Sequence, residues 1–323
     1  MRVAVSGAAG MLGRKLVDRL SKSGTVAGKP ISGFVLHDIV APTAVNGPIK
    51  TEMLVSDFSA AGAAEAIVAS QPDIIFHLAA VVSGEAEADL DKGYRVNLDG
   101  TRALLEAVRK LGGDYRPRFV FTSSLAVFGA PLPDVIPDDF ILRPLSSYGA
   151  QKAMGELMVA DYSRRGIIDG ISIRLPTICV RPGKPNKAAS SFYSGIIREP
   201  LNGVPSVLPV SKDMRHWFAS PRAAIGYLVH AAELDTAPLG GIRSLTLPGV
   251  SATVADEIEA LHRVGGEEAV ALIREEPDAT IHAIVSTWPK AFDARLALDL
   301  GFVPDKTFEE IVRIYCHDEL IRA

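Results

Sequence analysis

Cysteine is scarce in this chain: there are two in 323 residues, Cys179 and Cys316, far apart and in no CxxC pair. That excludes a disulfide scaffold and a thiol-ligated metal as organising devices and points to a reducing compartment. Both thiols read as small buried hydrophobes. Aromatic residues make up only 7%, and 34 basic residues face 38 acidic ones for a net charge of −4. A nucleic-acid binder, which needs a basic face for phosphates and aromatic platforms for bases, is thereby excluded. No run reaches the ~18 uninterrupted apolar residues of a membrane span. The opening MRVAVSGAAGMLG passes straight into an apolar strand and glycines, without the apolar stretch and cleavage site of a signal peptide, so a cytoplasmic location is expected. The seven histidines show no HxxxH spacing, and no metal is expected. Internal repeats and low-complexity tracts are also missing, which removes solenoids and linkers. The expected partner is a small molecule.

What is there is an alternation. Apolar strand-like runs (RVAVSG, FVLHDIV, DIIFHLAA, RFVFTSS, ISIRLPT) are separated by helical stretches (MLGRKLVDRLSKSG, SAAGAAEAIVASQ, LDGTRALLEAVRKLG, YGAQKAMGELMVADYSRRG). Such βαβ rhythm predicts an α/β fold, a doubly wound parallel sheet with both faces covered, and the runs are continuously apolar as that burial demands. Gly112-Gly113 and Gly166 are placed to stop the two long helices. After about Thr177 proline and glycine become frequent. Residues 1–176 therefore read as a dinucleotide-binding domain of Rossmann type and 177–323 mainly as a smaller substrate-binding part. The helical periodicity of PRAAIGYLVHAAEL suggests that 215–235 packs back on the sheet.

Gly7, Gly10 and Gly13 form GAAGMLG between the first strand and the first helix. Glycine permits the positive φ of a tight turn, and the missing side chains let backbone N–H groups and the helix N-terminus approach a pyrophosphate, so the loop, Met11 and Leu12 included, is expected to hold a dinucleotide. The second strand ends near Asp38, whose carboxylate would accept from the adenosine ribose hydroxyls and repel a 2′-phosphate, favouring NAD over NADP. The interval from Gly7 is longer than usual, and Ser21 to Gly33 reads as a polar insertion. Asp57, in VSDFSA, is placed either to bond the adenine amino group or to cap a helix.

Tyr148 and Lys152 stand in YGAQK, a YxxxK whose i,i+4 spacing puts both on one helix face. A nearby ammonium favours a phenolate, which would make Tyr148 a general base. Ser124 ends the strand RFVFTSS, 24 residues earlier, where the carboxyl end of a parallel strand faces the ligand crevice. Its hydroxyl would hold the substrate oxygen, with Ser123 as the alternative. Asn97, in YRVNLDGT, would hold water or a main-chain group that positions Lys152, or merely cap a helix.

With these motifs in their order (GAAGMLG, DIIFHLAA, NLDGT, FTSSLAVFG, YGAQK, RLPTICVRPG) the chain resembles the extended short-chain dehydrogenase/reductase family, which includes nucleotide-sugar epimerases, over about residues 1–235. The resemblance implies NAD at the glycine loop, Asp38 on the ribose, the backbone of Leu78, Ala79 and Ala80 along the cofactor, and Lys152 on the nicotinamide ribose. It also implies Pro176 and Asn97 on the cofactor side, Ser124 and Tyr148 at the reacting carbon, and Thr177 and Arg181 beside the substrate; a homodimer is common in the family. Phe128 stands where the family often has Tyr, and MRHWFASPRAA where the epimerases carry an aromatic-rich aspartate segment, a departure that points away from a nucleotide sugar.

From Ser172 to Ile197 the charged residues are all basic (Arg174, Arg181, Lys184, Lys187), and Arg215 follows. This suits an anionic substrate, with Arg215 as the expected carboxylate anchor, or else is a solvated basic loop. The segment VRPGKPNKAASSFYSGIIREPLNG more narrowly resembles dehydrogenases that oxidise the C2 hydroxyl of a four-carbon sugar acid with NAD. The competing readings are a nucleotide-sugar epimerase or dehydratase and a dinucleotide-sensing regulator without chemistry.

Overall fold

The computed structural model describes residues 1–45, 47–183 and 190–320; Lys184 and Lys187 lie outside the described residues. Two compact units make up the chain. One comprises Met1–Val127, Ser146–Arg174 and Ile225–Leu245, the other Phe128–Leu145, Leu175–Ala224 and Thr246–Ala323.

The first unit is built on a seven-stranded sheet in the order Lys50–Val55, Gly33–Asp38, Arg2–Ser6, Ile74–His77, Arg118–Ser124, Asp169–Leu175, Ser244–Thr246. Arg2–Ser6 runs parallel to both neighbours, with Val3 opposite Phe34 on one side and Ile74 on the other. Strand order reverses there, and that reversal opens a crevice beyond the carboxyl ends of the strands. Val3, Ala4, Val5, Ile75, Phe76, Phe119 and Val120 are wholly buried, because helices cover both faces. Among those helices are Met11–Ser23, which turns Leu16, Val17 and Leu20 inward, and Gly100–Leu111, which buries Leu104, Leu105 and Val108. Gly112 ends the second of these at φ 62.

The second unit has its own core. A three-stranded sheet of Val250–Thr253, Arg215–Ala219 and Thr177–Ile178 packs with the helices Ser191–Leu201, Val254–Val270 and Phe308–Asp318 around Tyr193, Ile196, Ile197, Phe218, Leu261, Ile311 and Val312.

The polar insertion Ser21–Gly33 is ordered: the helix runs on to Ser23 and an antiparallel hairpin, Thr25–Val26 with Lys29–Pro30, follows it. Two expectations are corrected. The boundary at 176 fails for Phe128–Leu145, which belongs to the second unit. Phe128 packs its ring on Phe292 (5.4 Å) and Phe140 (6.3 Å), contacts that no local pattern encodes. Of 215–235, only the part from Ile225 joins the first unit, because Arg215–Ala219 is the central strand of the smaller sheet.

Candidate active site

The glycine loop closes on its neighbours too tightly for side chains at two of its three glycines. Gly7 has φ 78, and a Cβ there would lie 2.7 Å from the Ala79 nitrogen; one on Gly13 would lie 2.2 Å from the Gly7 carbonyl oxygen. Gly10 is different: its φ is −67, it sits at the N-cap, and a Cβ would meet nothing nearer than 3.3 Å. It leaves the approach to the helix N-terminus open, where no side chain caps the backbone and no acid stands in the first turn. Such an end, carrying unpaired N–H groups and the positive pole of the helix, suits a pyrophosphate. The Asp38 carboxylate steadies the loop, as its Oδ2 accepts from the Ala9 N–H at 2.9 Å. Its Oδ1 has only a long contact from the Val40 N–H, 3.4 Å, and so retains acceptor capacity for ribose hydroxyls. The loop is also tied to its neighbour strand: the Leu78 N–H donates to the Ser6 carbonyl at 3.0 Å. These residues fit a dinucleotide.

Asp57 is not a helix cap, because the following helix starts at Ala63 with Gly62 at its cap. Instead its Oδ1 accepts from the Ser59 N–H (2.8 Å) and hydroxyl (2.6 Å), bonds that hold its carboxyl below the usual range. The other carboxylate oxygen is left for a ligand donor.

Tyr148 and Lys152 lie in the opening turns of the helix Ser147–Arg164, whose first residues are fixed by the Ser146 hydroxyl accepting from the Gly149 N–H at 3.1 Å. The Ser124 hydroxyl hydrogen-bonds the Tyr148 phenol and also accepts from the Ala126 N–H at 3.2 Å. Lys152 is 3% exposed. Its ammonium donates to the Thr122 carbonyl at 2.8 Å and lies over the Tyr148 ring, 5.7 Å from the centroid. The expectation that this cation acidifies the phenol is not met in the protein alone. Burial dominates and pushes Tyr148 up to about 12, with the Ser124 hydrogen bond opposing it. Burial likewise pulls Lys152 down to about 8, opposed by the nearby Glu156 carboxylate.

Alternation along the strand decides between the two serines. Ser123 points away from Ser124 into a buried cluster, donating to Glu156 Oε1 at 2.5 Å, and Arg174 grips the same carboxylate through Nε (3.0 and 3.1 Å) and Nη2 (2.7 Å). Of the two readings of Asn97, capping is contradicted, and the side chain holds a main-chain group. It lies within a wide helical turn, Tyr94–Asp99, that continues into the next helix, so it caps nothing. Its Oδ1 accepts from the Val81 N–H at 2.8 Å, and its Nδ2 donates to the Val81 carbonyl (3.1 Å) and to Gln151 Oε1 (2.8 Å). It braces the loop after Ala80 against the residue preceding Lys152 and makes no hydrogen bond to Lys152 itself. The short spacing hid Glu156, one turn beyond Lys152, and the Thr122 carbonyl, which no side-chain motif announces.

In the second unit, Arg215 is already paired: its Nη2 lies 3.0 Å from Asp134 Oδ1. Arg181 has no carboxylate at ion-pair distance among the described residues. Its Nη2 donates to the Ser190 hydroxyl (3.2 Å) and carbonyl (3.4 Å), its own carbonyl accepts from Arg198 at 2.7 Å, and burial lowers its pKa. Thr177, half-buried, follows the carboxyl end of the strand Asp169–Leu175 by two residues and is hydrogen-bonded to His216. Pro176 is buried. No group of three or more His, Cys, Asp or Glu is placed to hold a metal, and no helix is long and apolar enough to cross a membrane, among the described residues.

Residues 3–221 match the model of the NAD dependent epimerase/dehydratase family. The chain is 49% identical over 322 residues to a D-erythronate dehydrogenase of Cupriavidus necator, covering 98% of each. To a D-erythronate dehydrogenase of Haemophilus influenzae it is 42% identical over 313 residues, covering 97% of this chain and 98% of that protein. It superposes with a TM-score of 0.96, at 55% identity, on a crystal structure described as a nucleoside-diphosphate-sugar epimerase from Agrobacterium tumefaciens, covering 99% of this chain and 94% of that one.

Proposed function

This chain belongs to the NAD dependent epimerase/dehydratase family, and from that premise we propose that it oxidises the C2 hydroxyl of a small sugar acid, D-erythronate, to the 2-oxo acid. The observation that carries the substrate is the likeness, over nearly the whole chain, to two D-erythronate dehydrogenases. The site supports the chemistry. Tyr148 takes the hydroxyl proton through its phenol oxygen, Ser124 holds the same substrate oxygen, and Lys152, anchored on the Thr122 carbonyl, supplies fixed positive charge beside the ring. Bound NAD supplies the hydride acceptor. The remaining carboxylate of the substrate calls for a cation, and Arg181 suits it better than Arg215, since a desolvated guanidinium without a carboxylate gains most from one. Asp38 selects NAD over its 2′-phosphate, and the glycine loop takes the pyrophosphate. A cytoplasmic homodimer is part of the same reading.

The Agrobacterium likeness favours a second reading, a nucleotide-sugar epimerase that reduces its own intermediate back. Incubation with NAD and D-erythronate separates the two. The dehydrogenase accumulates one NADH per 2-oxo acid formed, whereas an epimerase turns over a nucleoside-diphosphate sugar with no net NADH. NADH formation from erythronate at the blank rate would reject the first reading.

A further inference from the structure

Lys152 and Glu156 stand four residues apart on the helix Ser147–Arg164, and both are buried. That spacing brings two side chains of one helix face within reach of each other, and in a core of low dielectric an ammonium and a carboxylate so placed attract strongly. They do not pair. The Lys152 ammonium donates instead to the Thr122 carbonyl at 2.8 Å, and it lies 4.8 Å from the centroid of the Phe121 ring and 5.7 Å from that of Tyr148. It makes no ion pair among the described residues, so two of its three hydrogens stay uncommitted beside the Tyr148 ring.

Donors from two adjacent strands hold the carboxylate elsewhere. Arg174, on the strand Asp169–Leu175, reaches both oxygens of Glu156 from Nε (3.0 and 3.1 Å) and one of them from Nη2 (2.7 Å), and the Ser123 hydroxyl donates to Oε1 at 2.5 Å. Together these contacts fill the roughly four lone-pair sites of a carboxylate. Gly155 lets the helix lie this close to the sheet, since a Cβ there would stand 2.6 Å from the Phe121 ring. From the strand Ile74–His77, His77 also feels the Lys152 charge, but it is neutral, pulled down to about 3 chiefly by burial. Glu156 is therefore the anion that Lys152 feels.

We propose that Arg174 is a positioning residue for the proposed reaction: by occupying Glu156 it keeps that carboxylate from drawing off the Lys152 ammonium, which stays on the Thr122 carbonyl beside Tyr148. The consequence for turnover rests on the role proposed above for Lys152 and Tyr148; the competition for Glu156 is a property of the packed groups alone. Arg174 acts through Glu156 and Lys152. Without it, one buried anion and one buried cation remain within reach of each other and pair, whereas without Glu156 two buried cations remain and no anion. Arg174→Met should therefore unfold at higher urea than Glu156→Gln.

In the whole protein without ligand, the titration of Lys152 is followed through its 13Cε resonance, assigned with Lys152→Arg. The wild-type midpoint is expected at about 8. Arg174→Met should raise it by about 1–3 pH units, Glu156→Gln/Arg174→Met should return it to the wild-type value or below, and Arg174→Lys, which keeps a cation on Glu156, should hold it. A merely structural pair would leave the midpoint where it is. An unmoved midpoint in Arg174→Met overturns the competition whatever the substrate is, as does failure of that variant to fold, because Lys152 then does not take up the carboxylate. In turnover at about pH 7 with saturating NAD, Arg174→Met should lower kcat on D-erythronate about 10- to 100-fold with little change in KM, and Glu156→Gln/Arg174→Met should recover most of that loss. Wild-type turnover in Arg174→Met, or a double variant no faster than the single, overturns the positioning role. A wild-type protein inert towards erythronate, with the Lys152 midpoint responding as stated, would reject the substrate reading and leave the competition standing.

Discussion

In the proposed reaction turnover depends on the phenol of Tyr148, and its pH response follows from where that phenol sits. Burial pushes it up to about 12, against the Ser124 hydrogen bond. At a pH of about 7 a phenol of that strength is ionised in about one molecule in 10⁵. If phenolate is the base, kcat/KM for the sugar acid at saturating NAD climbs tenfold per pH unit from about pH 6, until the Lys152 ammonium, held near 8 by burial, begins to be lost. Ser124→Ala removes a hydrogen bond that favours the anion. A bond to a charged group contributes about 1.5–3 kcal/mol, so the whole ascending limb should drop by about 10- to 100-fold and stay parallel to the wild-type line. Tyr148→Phe should lower turnover about 10²–10⁴-fold and flatten the limb, while NAD affinity, measured by fluorescence quenching or calorimetry, changes little. The assay is NADH absorbance across a series of buffers at constant ionic strength. A flat wild-type profile, or a limb of unit slope surviving in Tyr148→Phe, refutes the reasoning.

Arg181→Ala should raise KM for erythronate far more than for an uncharged polyol, whereas Arg215→Ala, which only releases Asp134, should affect both substrates alike; equal effects in Arg181→Ala would make that residue structural. Glu156→Gln leaves the buried Arg174 cation without its carboxylate and should destabilise the protein by about 3–5 kcal/mol in urea unfolding, with Glu156→Gln/Arg174→Met recovering most of the loss; a single variant as stable as wild type would show that the pair is screened. Glu257 is wholly buried with neither carboxylate oxygen hydrogen-bonded, and burial raises its pKa well above the ordinary range. The folded state therefore keeps a proton that the unfolded chain gives up above about 4.3, and stability declines as pH rises from there towards the folded-state pKa. Glu257→Gln should match the wild-type melting temperature in acid and exceed it at neutral and higher pH; parallel curves would contradict the buried neutral carboxyl.

The sequence by itself determined the sheet, the glycine turn and the order of the proposed catalytic residues. These are local facts: continuous apolar runs demand burial on both faces, Gly7 needs its positive φ where the turn is tightest, and a four-residue helical spacing puts Tyr148 and Lys152 on one face. Tertiary structure decided everything that depends on who meets whom. Ser123 and Ser124 are the same residue type on the same strand, and only the position of Glu156 and Arg174 shows which one is spent in the core. The motif around Asn97 left a cap and a main-chain brace both open, and only its partners, Val81 and Gln151, 16 and 54 positions away, distinguish them. Basic residues clustered in sequence did not reveal that Arg215 would find Asp134 and that Arg181 would find no carboxylate among the described residues. Phenol acidity, too, was misjudged from spacing, because desolvation is a property of the packed surroundings and outweighs one neighbouring charge that is already bonded to a carbonyl. Periodicity and turn chemistry act over a few residues and are written in the chain; ion pairing, proton placement and burial act over a few ångströms and exist only once distant segments have come together.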